Sequence, residues 1–396
     1  MCRSRAVAAA VLVLACAPGA RAALPEVDVS GFGTAAYAVT DNGRKAEFGR
    51  SQFQPAGADE NGDVAVDSLL AVQATVHLND IFSTTTQAMV RRLFGSSFEL
   101  DIPVFFAKAD VTRDFSIRVG RVPLPVFMIS DYRQVGYSNT WVRPPIEIYG
   151  QIPFDSDDGA DMLYSTSVGR IDVSTQVFYG KTDAALPLGP VQSRKNFGYN
   201  VSVTMGPISV HAGRNQSSLT SNAASVNQLL AQVSAAGFPA LANRLAVVNV
   251  PFKFTDFGFN YAGTHLSLQG EITKETVGGY LASTDGQYLL AGYRVRKFTP
   301  YAIFARQKIT SERTDTTIPQ VGALIPLAGA VNQLINSVGA DQHTISGGLR
   351  WDFHESLDLK LQFDRVSFQG NGLFINPQPG FHGPVDVLSF ALDFVF

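Results

Sequence analysis

Between Val122 and Asp158 the chain carries Asp131, Glu147, Asp155, Asp157 and Asp158 together with Arg133 and Arg143, and strand-like stretches elsewhere supply Arg91, Arg118, Arg294, Arg306, Lys308 and Arg350. Fixed acids on one side of an opening and cations on the other create a transverse field across it. Such a field favours polar or zwitterionic solutes that align with it, and disfavours apolar ones that must shed ordered water. Arginine suits such a wall because it stays charged and forks onto carboxylates. By strand parity we expect Arg91, Arg118, Arg294, Arg306, Lys308 and Arg350 to face an enclosed lumen, opposed by Asp131, Glu147, Asp155, Asp157 and Asp158. Arg133 and Arg143 either join that constriction or tether the acidic segment to the wall. The structural reading of the same charges is solvated wall residues and ion pairs.

Covalent chemistry has weaker support. Six histidines occur (His77, His211, His265, His343, His354 and His382), and none lies in a nucleophile or metal motif. There is no Gly-x-Ser-x-Gly and no His-Glu-x-x-His, so surface histidines are the expectation. The Asp157-Asp158 pair is read as a charged loop end rather than a cation site, and the Gly-rich stretches lack the Walker spacing. No enzyme activity, cofactor or metal is expected.

These charges must be positioned by strands. The 122–158 stretch contains Pro123, Pro125, Pro144, Pro145 and Pro153, so no regular element runs through it. A connection that long with many large apolar side chains points to a job rather than to disorder. On either side, segments of roughly ten residues alternate with period two. Examples are Ser68 to Leu78, with Leu70, Val72, Ala74, Val76 and Leu78 on one face, and Ile171 to Lys181. Tight turns at Asn79-Asp80, Gly169-Arg170, Gly206-Pro207 and Gly263-Thr264 alternate with long connections. About sixteen such segments predict an all-β fold, a transmembrane antiparallel β-barrel with its long third loop folded inward. Helical spacing of Val226, Leu229, Leu230 and Val233, and of Val331, Leu334, Ile335 and Val338, predicts short helices in outer loops at about 222–248 and 323–340.

Composition agrees. A formal charge of −3 with no basic tract excludes nucleic acid as the main partner. Hydrophobic residues at 45% are too few for a helical membrane protein. Arg3 and Arg5 precede an apolar run from Ala6 to Ala17, and Ala20-Arg21-Ala22 fits a leader cleavage site. Residues 1–22 are therefore expected to be a signal peptide and 23–396 the barrel. Both cysteines, Cys2 and Cys16, would leave with the leader.

The last segment places Leu388, Phe390, Leu392, Phe394 and Phe396 on one face, with Ser389, Ala391 and Asp393 on the other. This aromatic ending resembles the final strand of Gram-negative outer-membrane proteins. With the leader, the segment count and the long third loop, the mature chain resembles the porin superfamily, a sixteen-stranded general-porin-like barrel. Two features depart from the general porins. Pro123-Leu-Pro-Val-Phe127 stands where they carry a Pro-Glu-Phe-Gly-like tip, and the second loop is only about Arg92 to Ser97. The resemblance implies a loop at about 122–158 that folds inward as the constriction, an outer-membrane location, lipid and lipopolysaccharide around the barrel, and a homotrimer. It also implies passive diffusion of small hydrophilic solutes and ions. The alternatives are a substrate-specific channel for a sugar or organic acid, its path lined by aromatics such as Tyr132, Tyr137, Trp141 and Tyr149, and a barrel hydrolase.

Overall fold

The computed structural model describes residues 25–95, 97–186 and 189–396. The leader, its cut after Ala22 and both cysteines lie outside the described residues. Sixteen strands follow one another round a closed ring. They are β1 (Glu26–Thr40), β2 (Leu69–His77), β3 (Phe82–Arg91), β4 (Glu99–Asp110), β5 (Phe115–Pro123), β6 (Ser156–Val168), β7 (Ile171–Leu186) and β8 (Gly189–Met205). The second half comprises β9 (Ile208–Ser221), β10 (Val250–Ala262), β11 (Leu266–Val277), β12 (Thr284–Tyr293), β13 (Phe298–Ile309), β14 (Gln342–His354), β15 (Leu357–Phe368) and β16 (Val385–Val395). The ring closes where β1 pairs antiparallel with β16, from Phe32 opposite Val395 to Thr40 opposite Val387. Closure removes the free edge that would leave a row of unpaired backbone groups.

Side-chain alternation sorts the two faces. Along β16, Leu388, Phe390 and Leu392 are exposed while Ser389, Ala391 and Asp393 are buried. One end of the barrel has tight hairpins throughout, and Gly169 (φ +67°) and Gly206 (φ +59°) take the left-handed conformation that such turns require. The opposite end is mixed. Between β7 and β8 the chain lengthens the strands themselves, to 16 and 17 residues, rather than forming the long connection read from the sequence. The connection between β5 and β6 is also shorter than 122–158. Strand pairing continues to Pro123 opposite Ser156, so the connection covers 124–155.

Among the described residues four α-helices lie in connections: α1 (Ile146–Tyr149) between β5 and β6, α2 (Ala224–Ala235) and α3 (Pro239–Leu245) between β9 and β10, and α4 (Ile325–Ile335) between β13 and β14. The main apolar cluster lies against the inner wall. It joins Phe127, Trp141 and Ile148 of the 124–155 connection to Phe178, Phe254 and Tyr288 of the strands, and takes in Leu230, Val233, Leu241, Ala328 and Val331 of the helices. Its burial is the hydrophobic contribution holding connections to wall, at about 1.5–3 kcal/mol for each large side chain.

Candidate functional site

The 124–155 connection is held by side chains from much of the ring. Pro144-Pro145 extends the backbone into α1, and all four residues of that helical turn are buried. Arg143 forks onto Asp67 in the β1–β2 connection, with Nη2 2.6 Å from Oδ2. It also reaches Asp364 of β15 at 3.0 Å and Ser389 of β16 at 2.5 Å. Glu147 accepts hydrogen bonds from Gln342 Nε2 at 2.9 Å and from Thr344 Oγ1, both on β14. Burial raises the Glu147 carboxyl above the usual range, and these two donors offset part of that effect. Tyr149 donates to Glu271 of β11 at 2.6 Å, Asn200 of β8 donates to the Pro125 carbonyl at 3.1 Å, and Lys360 of β15 donates to the Gly136 carbonyl at 2.7 Å. Aromatic edges lock the apolar side, with Phe127 and Phe254 at 5.2 Å and Trp141 and Tyr288 at 5.5 Å.

Most of the charged residues read from the sequence meet a partner. Arg91 lies 2.5 Å from Asp155 and 2.9 Å from Asp101, and Arg133 pairs with the same Asp155. Arg118 forks onto Asp161 and lies over the Phe106 ring. Arg350 donates to Asp352 and to the Asn139 carbonyl, both at 2.8 Å, and lies 3.0 Å from Asp358. Arg294 is exposed at the tight-turn end, 3.8 Å from Asp352. Asp157 is buried, accepting from Thr182 and from Asn196 at 2.7 Å. Asp131 is exposed, with no cation at ion-pair distance among the described residues. Arg143 and Glu147 act as anchors between the segment and the wall.

Three assignments are corrected. Arg306 and Lys308 lie on the outer face of β13, both exposed, while Tyr301, Ile303, Ala305 and Gln307 turn inward. Parity misled there because the inner residues are apolar, and they are apolar because the 124–155 connection and α1 pack on them. Asp158 also lies on the outer face, paired with Arg121 at 2.8 Å. A fourth correction concerns His211. It is buried rather than a surface residue, with Nδ1 2.8 Å from Ser202 Oγ. Its Nε2 is 3.0 Å from Asp256 Oδ2, but off the hydrogen-bonding direction.

Two cavities meet at Arg133, Gln134 and Asp155. One, of about 90 Å³, is lined by Arg50, Arg91 and Arg92. The other, of about 260 Å³, is lined by Gln73, Gln87, Arg118 and Asp131. Arg133, Gln134 and Asp155 line both. The opposed rows expected from the sequence are therefore replaced by one mixed cluster, in which the Asp155 carboxylate bridges Arg91 and Arg133 and is more exposed than either. The residues missed were Arg50, Arg92, Asp67, Asp101 and Asp161. Asp101 and Asp161 were legible as strand residues, and their pairing follows from register, with Arg91 near Asp101 across β3–β4 and Arg118 opposite Asp161 across β5–β6. Arg50 and Asp67 lie in the β1–β2 connection, where no periodicity marks which side chains turn inward.

No family model and no curated protein matches the chain. Among solved structures, the outer-membrane-expressed OmpT of Vibrio cholerae is similar to it at 10% identity, covering 95% of this chain and 99% of that one, with a TM-score of 0.54. OmpF of Salmonella typhi, solved in complex with daunomycin, is similar at 13% identity over 94% of this chain and 98% of that one, TM-score 0.55. The outer-membrane channel DcaP of Acinetobacter baumannii is similar at 10% identity over the same shares, TM-score 0.56. At these identities the likeness is one of fold, and the fold is that of outer-membrane β-barrels.

Proposed function

We propose that this chain is an outer-membrane, porin-like channel for small hydrophilic solutes. Its passage runs between the 124–155 connection and strands β2 to β5, and is narrowest at Arg91, Asp155 and Arg133. The observation that carries the reading is the shared lining, in which Arg133, Gln134 and Asp155 stand between two cavities that arginines line on both sides. Across the two linings Arg50, Arg91, Arg92, Arg118 and Arg133 outnumber Asp131 and Asp155, which favours anions over cations. The exposed Leu and Phe rows of the outer face fit a hydrocarbon surround. Lys253, Lys274, Arg306 and Lys308, exposed toward the end away from the tight turns, fit the phosphates of lipid or lipopolysaccharide headgroups. A homotrimer remains part of the reading, since OmpT of Vibrio cholerae has been solved in a trimer form.

The test is single-channel current in a planar bilayer under a KCl gradient. We expect current steps with a reversal potential on the anion side. Arg133→Gln and Arg91→Gln should move it toward cations, and deletion of residues 126–150 should raise the step size. Absence of current from a protein that still migrates as a heat-modifiable barrel would overturn the reading.

A hydrolase is the second reading, favoured by the Ser202, His211 and Asp256 grouping. Against it, Ser202 is paired on both sides of β8, so the ladders occupy the backbone N–H groups that would have to stabilise an oxyanion. Ester hydrolysis lost in Ser202→Ala would revive it.

A further inference from the structure

A third cavity, of about 90 Å³, lies beside the charged passage. At about 30 Å³ for each water in the liquid, it holds on the order of three waters, so nothing larger than a single small ring fits. Much of its wall is apolar: Leu124, Phe154, Leu219, Phe252, Tyr280 and Val338. The polar remainder is uncharged apart from Glu275, and includes Ser193, Asn196, Asn215 and Ser217. No lysine, arginine or histidine lines it among the described residues.

Two of the polar groups call for donors. Asn215 is 5% exposed, and its Oδ1 is buried without a hydrogen-bond partner among the described residues. A buried acceptor left unmatched costs about 1–3 kcal/mol, so its persistence at a cavity wall points to a partner that arrives with a ligand. The Glu275 carboxyl accepts one hydrogen bond, from Thr284 Oγ1 at 2.8 Å, which leaves it a further acceptor position, and the described residues place no cation beside it. An apolar slot with acceptors and no cation selects against carboxylates, the reverse of the arginine passage.

We propose that this cavity is a binding site for a small, non-anionic ring compound bearing hydroxyl donors, a phenol being the simplest chemistry that satisfies it. The ring fills the Leu219–Phe252–Val338 side, and a hydroxyl donates to Asn215 Oδ1 or Glu275. The site is separate from the arginine cluster, so it stands whether or not the chain conducts.

The experiment is titration calorimetry of the full barrel in detergent micelles, with resorcinol, anisole and benzoate as probes and empty micelles as reference. These probes share a ring and a similar size, but only resorcinol offers hydroxyl donors and only benzoate is an anion. Resorcinol should bind saturably at one per chain, at least tenfold more tightly than either of the others. Asn215→Leu should weaken it about tenfold, and Leu219→Trp, which fills the slot, should abolish it; heat-modifiable migration verifies folding. Equal heats for the three probes, binding led by benzoate, or no saturable heat above empty micelles would overturn the proposal. The probe comparison on the unmodified protein decides the matter even where a variant misfolds, and because it reads binding alone, an absence of channel current would leave it unaffected.

Discussion

The fate of the charged side chains depends on whether each finds a partner at bonding distance. Arg143 is 3% exposed and shared between two buried acids, Asp67 and Asp364. Removing the cation from such a group leaves uncompensated charge, a loss of about 3–5 kcal/mol. Arg143→Met should therefore release the 124–155 connection, read as faster proteolytic nicking within it and as larger, noisier current steps. Arg143→Lys should rescue only in part, because one ammonium cannot reproduce a fork that reaches Asp67, Asp364 and Ser389 together. Unchanged proteolysis in Arg143→Met would mean that the apolar cluster alone holds the segment. Arg306→Gln with Lys308→Gln is the matched control. Both positions face outward, so conductance and reversal potential should stay as they are, and a shift in either would return them to the lumen.

At the scale of elements, strands were far more legible than faces. β2 (Leu69–His77) lies one residue inside each end of the Ser68 to Leu78 alternation and β7 begins at Ile171 as its pattern predicts, since a period-two pattern flanked by Asn79-Asp80 or Gly169-Arg170 leaves little choice at that end. Faces failed where both sides were apolar, as on β13, because alternation identifies an outer face only when the inner one is polar. A register shift between Gln87 and Met89 in the β3–β4 pairing likewise moves Val104 and Phe106 inward, and nothing in the local pattern announces it. The helices behaved differently. The spacing of Val226, Leu229, Leu230 and Val233 gives α2, yet what it packs on was not readable, because Leu230 and Val233 join a cluster with residues as distant as Phe127 and Val331. Val233 is 0% exposed. Val233→Asp puts an unpaired charge there, a cost of about 3–5 kcal/mol that local opening can relieve. The helices should then undock while the strands stay paired, seen as faster amide exchange confined to about 222–248 and 323–340. Exchange that rises across the strands as well would mean that the helices brace the barrel rather than cover it.

For the molecule as a whole, two sets of contacts can be separated. The wall is built from hairpins between sequential neighbours, and only the β1–β16 ladder joins the ends of the chain. The filling, made of the 124–155 connection with α1 and the helices, adds burial and ion pairs but no strand. The sequence showed the wall because each hairpin is local. It showed the 124–155 part of the filling only as a proline-rich interruption, because the partners of Arg143 and Glu147 lie some 76 to 246 residues away along the chain. The two sets should fail differently. Deleting residues 126–150 exposes inner apolar side chains such as Phe254, Tyr288 and Ile303 to water and lowers the melting temperature, but it leaves every ladder intact, so a heat-modifiable barrel with full β signal should persist. Removing Val385–Phe396 instead strips the β16 ladder from β1 over Phe32–Thr40 and from β15 over Leu357–Val366 and creates two open edges, which in lipid leaves backbone groups without partners. That truncation should yield no heat-modifiable species and an aggregated protein. A truncated chain that still folded and inserted would show that closure at β1–β16 is dispensable, and that the packed interior rather than the ring defines the fold.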